Sequence, residues 1–360
     1  MNEFPPIFDE DLNHVLQHVS AWESLRNARI FITGGTGFFG AWLLETFCHA
    51  NAVLGLGAEA TILSREPHQF LMKMPHLQNR ADLRFMPGDV RALEPNTARG
   101  EKFAGGEKFT HFIHAATASG ANPPLAPLEM FDVVLEGTRR VLDFAVENSS
   151  ASSSPRMLFV SSGAVYGAQP GALSRVDEEY SGAPDCRNLS AAYGEGKRAG
   201  EWLCAAYAEK FGIEIPIARG FAFVGPHLPI DAHFAIGNFL RDARKGGPIE
   251  IQGDGTPVRS YLYAADLAVW LWEILLRGQS GRAYNVGSED ARSILETAQI
   301  VADAFDFKPE IIVAGKPKAG VLPTRYVPST QRAQGELGLR PIIQLPDGIA
   351  RTLRFINTYF

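Results

Sequence analysis

A tyrosine and a lysine stand four residues apart in Tyr193-Gly-Glu-Gly-Lys197. On a helix that spacing puts the phenol and the ammonium on one face. At about 5 Å and an effective dielectric near 20, the ammonium favours phenolate by roughly 3 kcal/mol, about two pKa units. A phenol so placed exchanges a proton near neutral pH. Asn188 and Ser190 are the candidate caps of this helix. Gly194, Gly196 and Gly200 fall inside it, each costing about 1 kcal/mol relative to alanine, which predicts a cofactor or substrate lying against the helix. A third group, Ser162, sits in Ser161-Ser-Gly-Ala-Val-Tyr-Gly167 where a strand pattern ends. It is placed either to hold a substrate oxygen beside Tyr193 or to cap a turn.

The run Thr33-Gly-Gly-Thr-Gly-Phe-Phe-Gly40 lies between a strand pattern and a helix pattern, with glycines at 34, 37 and 40. Glycine lets the backbone approach a pyrophosphate, and a helix N-terminus offers unpaired N–H groups and partial positive charge. The turn therefore reads as a dinucleotide site. At the end of the second strand, where an acidic residue would accept from a ribose 2′-hydroxyl, stand Ser64 and Arg65. A guanidinium binds a 2′-phosphate that a carboxylate would repel, so the expected cofactor is NADP, with NAD as the alternative. Asp89, in Pro87-Gly-Asp-Val90, is placed to accept from the adenine amino group or to close a turn.

These groups need a scaffold that delivers them to one edge. Short β-rich runs, 29–33, 60–64, 83–86, 111–114, 157–161 and 213–219, alternate with helical patterns at 38–49, 128–148 and 190–211. That alternation predicts an α/β fold, a Rossmann-type doubly wound parallel sheet over 29–220. Pro216 cannot donate to a ladder, which places its strand at an edge or bulge. Apolar residues at helical spacing over 9–25 predict a helical extension, residues 1–28, packed outside the sheet. Beyond Gly220, clusters of Gly and Pro mark a smaller C-terminal α/β lobe, 221–360, some of whose segments can return to the sheet; 264–276 and 293–304 read as helices within it. His227 and His233 lie in that lobe as candidate pocket residues, although a lone histidine there is more often structural.

Composition narrows the functional classes. Thirty-four basic against forty acidic residues, a net charge of −6, give no general attraction to nucleic acid or anionic lipid. The longest apolar stretch is interrupted by Asp266 and Glu273, so no membrane span is expected. Three cysteines without CxxC spacing exclude a disulfide framework or structural metal site and fit a cytoplasmic setting, as does a start lacking a basic and then apolar leader. The sequon Asn148-Ser-Ser150 is then without consequence.

The segments TGGTGFFG (33–40), HAA (114–116), SSGAVYG (161–167), YGEGK (193–197), GP (225–226) and RSYLYAADLA (259–268) together resemble the extended short-chain dehydrogenase/reductase family, in its nucleotide-sugar epimerase, dehydratase and reductase branch. The resemblance implies a catalytic triad of Ser162, Tyr193 and Lys197, with Lys197 also touching the nicotinamide ribose. It implies cofactor contacts from Gly34, Gly37, Phe38, Phe39, Gly40, Ser64, Arg65, Asp89, Val90, Ala115, Ala116, Tyr193 and Lys197. Substrate contacts fall on Ser162, Gly163, Arg259 and Arg325, the two arginines on the diphosphate of a sugar nucleotide. A homodimer formed through helices 128–148 and 190–211 is also implied.

Departures from the family pattern choose among its reactions. Similar 4,6-dehydratases carry an Asp-Glu pair where this chain has Gly163 and Ala164, similar UDP-glucuronate decarboxylases carry Glu in place of Ala164, and similar GDP-fucose synthases carry Cys in place of Gly163. Ala222 replaces a usual Asn near Arg219. What remains is hydride transfer at one carbon with a proton relayed by Tyr193. The expected activity is reduction of a nucleotide-linked 4-keto-6-deoxyhexose at C4; a 4-epimerase with retained NAD is the alternative, ahead of a dehydratase, a decarboxylase or a noncatalytic NADP sensor.

Overall fold

A computed structural model describes residues 6–94, 108–117, 125–149, 154–232 and 234–359. Its first half alternates strand and helix: α1 (Asp9–His18), β1 (Arg29–Thr33), α2 (Phe38–Leu54), β2 (Glu59–Ser64), α3 (Pro67–Lys73), β3 (Leu83–Pro87), β4 (His111–His114), α4 (Pro127–Asn148), β5 (Arg156–Ser162), α5 (Ala192–Phe211) and β6 (Ile217–Gly220). Shorter strands follow: β7 (Phe223–Val224), α6 (Ala235–Arg244), β8 (Ile249–Ile251), β9 (Val258–Arg259), β10 (Leu262–Tyr263), α7 (Ala264–Arg277), β11 (Ala283–Val286), β12 (Arg292–Ser293), α8 (Ile294–Asp303), β13 (Ile311–Val313), β14 (Arg325–Tyr326), α9 (Gln331–Leu337) and α10 (Leu345–Tyr359).

Seven parallel strands form the main sheet in the order β11-β6-β5-β4-β1-β2-β3. Both faces are covered, and strand alternation sorts side chains between them. Ile30 and Ile32 join the apolar layer containing Val15, Trp42 and Trp270, from α1, α2 and α7, while Phe31 joins the layer containing Leu142 and Leu203, from α4 and α5. The doubly wound parallel sheet is thus as expected. One strand was not legible in advance: β11 enters beside β6 from beyond residue 280. That corrects the placing of Pro216, because β6 lies between β5 and β11 rather than at an edge. Pro216 sits one residue before the strand and contributes only its carbonyl, which accepts from Phe159 N–H at 3.1 Å; no donor is asked of it.

The helical extension also ends earlier than its apolar spacing predicts. α1 stops at His18, and a separate 3-10 turn covers Trp22–Leu25. The Ser20 N–H turns away to the buried Glu273 carboxylate of α7 instead of continuing the helix. Asp11 on α1 accepts from the Tyr263 hydroxyl at 2.6 Å and from Arg351 of α10, fastening the extension to the second half of the chain. In that half the strands make small sheets, β10-β7, β12-β9-β14 and β13-β8. The α8 helix starts in a capping box formed by Ser293 and Glu296. All three cysteines are free. No described helix is long and apolar enough to cross a membrane. His233 and Ser150 lie outside the described residues.

Candidate active site

The glycine turn joins β1 to α2, and its three glycines answer to different constraints. Gly34 has φ +77, and a Cβ there would meet the Ala115 carbonyl carbon at 2.4 Å. A Cβ on Gly40 would meet the Gly35 backbone at 2.3 Å. Both are required by the protein's own packing. Gly37 is not: the nearest atom to its Cβ position is Gly34 O at 3.5 Å. The space beside it is open, and α2 begins there without a side-chain cap, so the first-turn N–H groups of Phe38, Phe39 and Gly40 point to a site suited to an anion. This cradle fits the pyrophosphate of a dinucleotide. Ala115 and Ala116, directly after β4, form its opposite wall against Gly34.

At the adenosine end, the Ser64 hydroxyl lies 3.0 Å from that of Thr36 and Arg65 is exposed. Of the two roles open to Asp89, the structure displays the turn. Its carboxylate accepts from the Arg91 N–H at 2.8 Å and from the Arg91 guanidinium at 3.1 and 2.9 Å. This arginine, with a smaller contribution from Arg65, holds the carboxyl below its ordinary range. Arg91 was not singled out from sequence, and it brings a second guanidinium to the strand ends where Arg65 stands. Val90 between them is buried against Gly137.

β5 and α5 carry the residues expected to handle the proton. Ser162 ends β5, and of its two expected roles the structure displays the turn cap: its Oγ accepts from Ala164 N–H at 3.1 Å, and it also faces the Tyr326 hydroxyl at 3.5 Å. Tyr193 lies in the first turn of α5, and Lys197 follows one turn later. The Lys197 side chain is buried, and its Nζ donates to the Val160 carbonyl at 2.7 Å. Burial lowers its pKa to about 8. Asn188 caps only the short 3-10 turn at Leu189–Ala191, and α5 itself starts without a side-chain cap.

The three helix glycines are corrected in meaning. A Cβ on Gly194 would meet Ala164 O at 2.8 Å, on Gly196 the Val134 Cβ at 3.0 Å, and on Gly200 the Phe159 Cζ at 2.8 Å. They let α5 close on β5 and α4, so protein rather than ligand accounts for them.

Beside Ser162 and Lys197 runs a polar network missed in the sequence. Ser161 Oγ donates to Glu201, whose two oxygens receive the Arg219 fork at 3.0 and 2.6 Å; Arg219 also donates to the Tyr166 hydroxyl at 2.8 Å. Tyr166 donates its hydroxyl hydrogen bond to Asn285 Oδ1 at 2.7 Å, and burial pushes its pKa up to about 12. His114, at the end of β4, is a neutral buried histidine between the Thr33 and Thr138 hydroxyls at 2.7 and 3.1 Å, its pKa lowered to about 3 by burial and then by Lys197.

A model of the NAD dependent epimerase/dehydratase family matches residues 30–287, which span every element just described up to β11. The chain belongs to that family. Among curated members it is 26% identical over 329 residues to UDP-glucuronic acid decarboxylase 1 of Danio rerio, covering 91% of this chain and 72% of that one. It is likewise 26% identical to UDP-glucuronic acid decarboxylase 6 of Arabidopsis thaliana, with 90% and 87% covered. Its fold matches dTDP-glucose 4,6-dehydratase from Bacillus anthracis, solved with NAD, at TM-score 0.74 and 18% identity, over 92% of this chain and 97% of the other. RMD from Pseudomonas aeruginosa, solved with NADPH, matches at TM-score 0.68 and 24% identity, over 92% and 99%.

On the lobe side of this family fold, register separates the two expected phosphate arginines. Arg259 pairs with Tyr326 across β9 and β14 and with Arg292 across β12, so these three share one face of the small sheet, whereas Arg325 pairs with Val258 on the other. Arg325 Nε is buried with no hydrogen-bond partner among the described residues. The two arginines therefore do not stand side by side. Gly163 is closed in: a Cβ there would meet the Phe221 ring and the Tyr326 hydroxyl, each at 2.8 Å. His227 is a structural residue, buried 3.3 Å from Glu45 and against the Phe355 ring.

Proposed function

We propose that this chain is an NADPH-dependent reductase acting at C4 of a nucleoside-diphosphate-linked 4-keto-6-deoxyhexose, bound as a homodimer in a reducing cytoplasm. The observation that carries the reading is the filled space at Gly163, where the Phe221 ring and the Tyr326 hydroxyl leave no room for a side chain. Dehydration and decarboxylation need an acid or base beyond the proton relay. The positions at which similar enzymes keep it are Gly163 and Ala164 here, although the curated relatives bear the name of decarboxylases.

When bound, the reduced nicotinamide supplies the hydride. The chain does the rest. Gly34, Gly37 and Gly40, with the N-terminus of α2, seat the pyrophosphate, and Arg65 with Arg91 holds a 2′-phosphate. Tyr193 gives its proton to the C4 oxygen as the carbonyl becomes an alcohol, Ser162 donates a hydrogen bond to the same oxygen, and the Lys197 ammonium is offered to the cofactor ribose. Arg259 grips the diphosphate from the lobe. The dimer reading is supported by α4 and α5, which leave Leu128 81%, Trp202 69% and Phe211 44% exposed while burying Val134, Val141, Leu142, Leu203 and Cys204.

Incubating the purified protein with a panel of sugar nucleotides and their 4-keto derivatives tests this. The expected result is one NADPH oxidised per new C4 hydroxyl. Inversion of C4 without consumption of added NADPH would replace the reading by a 4-epimerase that retains NAD.

A further inference from the structure

The Tyr326 hydroxyl reaches Ser162 from the far end of the chain, and neither spacing nor motif pointed to it. β14 carries it, and the register with β9 sets its side chain on the same face as Arg259. Its ring stacks at a tilt on Phe221, centroids 4.7 Å apart. Its oxygen then ends 3.5 Å from Ser162 Oγ and 3.5 Å from the Gly220 carbonyl. Both distances are at the loose limit of a hydrogen bond. Neither neighbour satisfies the hydroxyl well, and an oxygen atom set between Ser162 and Tyr326 would take a shorter bond from each.

Space makes the same point. The volume that a side chain on residue 163 would occupy is held by this hydroxyl and by Phe221. A polar atom from β14 therefore stands where a side chain on the strand-end loop would otherwise lie.

We infer that Tyr326 is a further catalytic residue, a fixed hydrogen-bond donor to the substrate oxygen that Ser162 also holds. The inference rests on reading the cleft as a carbonyl site for a sugar nucleotide. Its division of labour with Tyr193 follows from surroundings. Tyr193 has the Lys197 ammonium one helical turn away, whereas Tyr326 is pushed by burial well above the ordinary phenol range and disfavoured further by any charge on Tyr193. Tyr326 therefore keeps its proton and donates, and Tyr193 exchanges.

Tyr326→Phe keeps the ring on Phe221 and removes only the oxygen. In the intact protein with saturating NADPH, kcat is expected to fall about 10- to 100-fold. The NADPH dissociation constant and the midpoint of the pH profile stay as in the native enzyme, and the loss is much smaller when Ser162→Ala is already present. A kcat within twofold of native, or a shifted pH midpoint with weaker NADPH binding, overturns the inference. Should the native enzyme invert C4 with no net oxidation of NADPH, the reductase reading fails while Tyr326→Phe is scored on the inversion rate, so the two failures separate. Placement of the hydroxyl is checked without turnover by melting Gly163→Ala in the native and Tyr326→Phe backgrounds. A smaller drop in Tm in the second background supports the inference; equal drops overturn it.

Discussion

The two walls of the cleft are built from different material. On the cofactor wall, Gly34, Gly37 and Gly40 lie within one turn and the first winding of α2, and what they present is backbone. On the wall proposed for substrate, Ser162 and Tyr326 meet across 164 residues of sequence, with Phe221 and Arg259 arriving from two further segments, and what they present is side chains. A backbone cradle tolerates many substrates beyond it, because the same N–H groups serve any dinucleotide. A wall of converging side chains is where one family's reactions diverge.

The largest effect should come from Tyr193→Phe on the substrate wall: catalysis falls about 10²- to 10⁴-fold in steady-state assays, with NADPH binding by fluorescence unchanged. A comparable loss of cofactor affinity would blur the distinction between the walls.

Lys197→Met is next, and here activity and stability part. At neutral pH the folded protein holds a buried ammonium whose pKa is lowered to about 8 from 10.5. Between those values the unfolded chain binds more protons than the folded one, so this group's contribution to stability rises as pH climbs from about 8 to 10.5. Over the same climb the ammonium one helical turn from Tyr193 is lost, and the relay is expected to weaken with it. The variant is expected to melt higher than native at pH 7 and to turn over at least 100-fold more slowly, an estimate from general acid–base catalysis. In the native protein, kcat/KM falls above about pH 8.

Within the cofactor wall, the glycines themselves are separable. Gly34→Ala meets backbone at 2.4 Å in a left-handed conformation and should cost about 2 kcal/mol or more in denaturant titration. Gly37→Ala meets nothing of the protein within 3.4 Å, so its melting curve should match native while NADPH binding weakens about tenfold. Equal stability losses in both would mean that Gly37 serves the fold. The smallest effect belongs to the rim. Arg65→Ala should weaken NADPH about tenfold relative to NADH, with Arg91→Ala adding to it.

The same contrast explains what could be read from residues alone. The glycine turn, the Tyr193–Lys197 pair and the doubly wound sheet are local or periodic, and each was legible. Tyr326, Phe221 and Arg91 were not: strands of two residues, such as β9 and β14, carry no period, and their partners are set by register that only the folded lobe supplies. Gly194, Gly196 and Gly200 were recognised as making room but credited to a ligand, since sequence shows the missing side chain and not the Val134 or Phe159 that fills its place. Pro216 was read as a marker of an edge or bulge because nothing near it announced β11.

That late strand has a bearing on how the protein is made. During synthesis, β6 leaves the ribosome with one ladder edge unpaired, and its neighbour β11 is not translated until residue 283. Everything from β7 to α7 emerges in the interval. A nascent chain therefore carries that open sheet edge through the synthesis of much of the lobe.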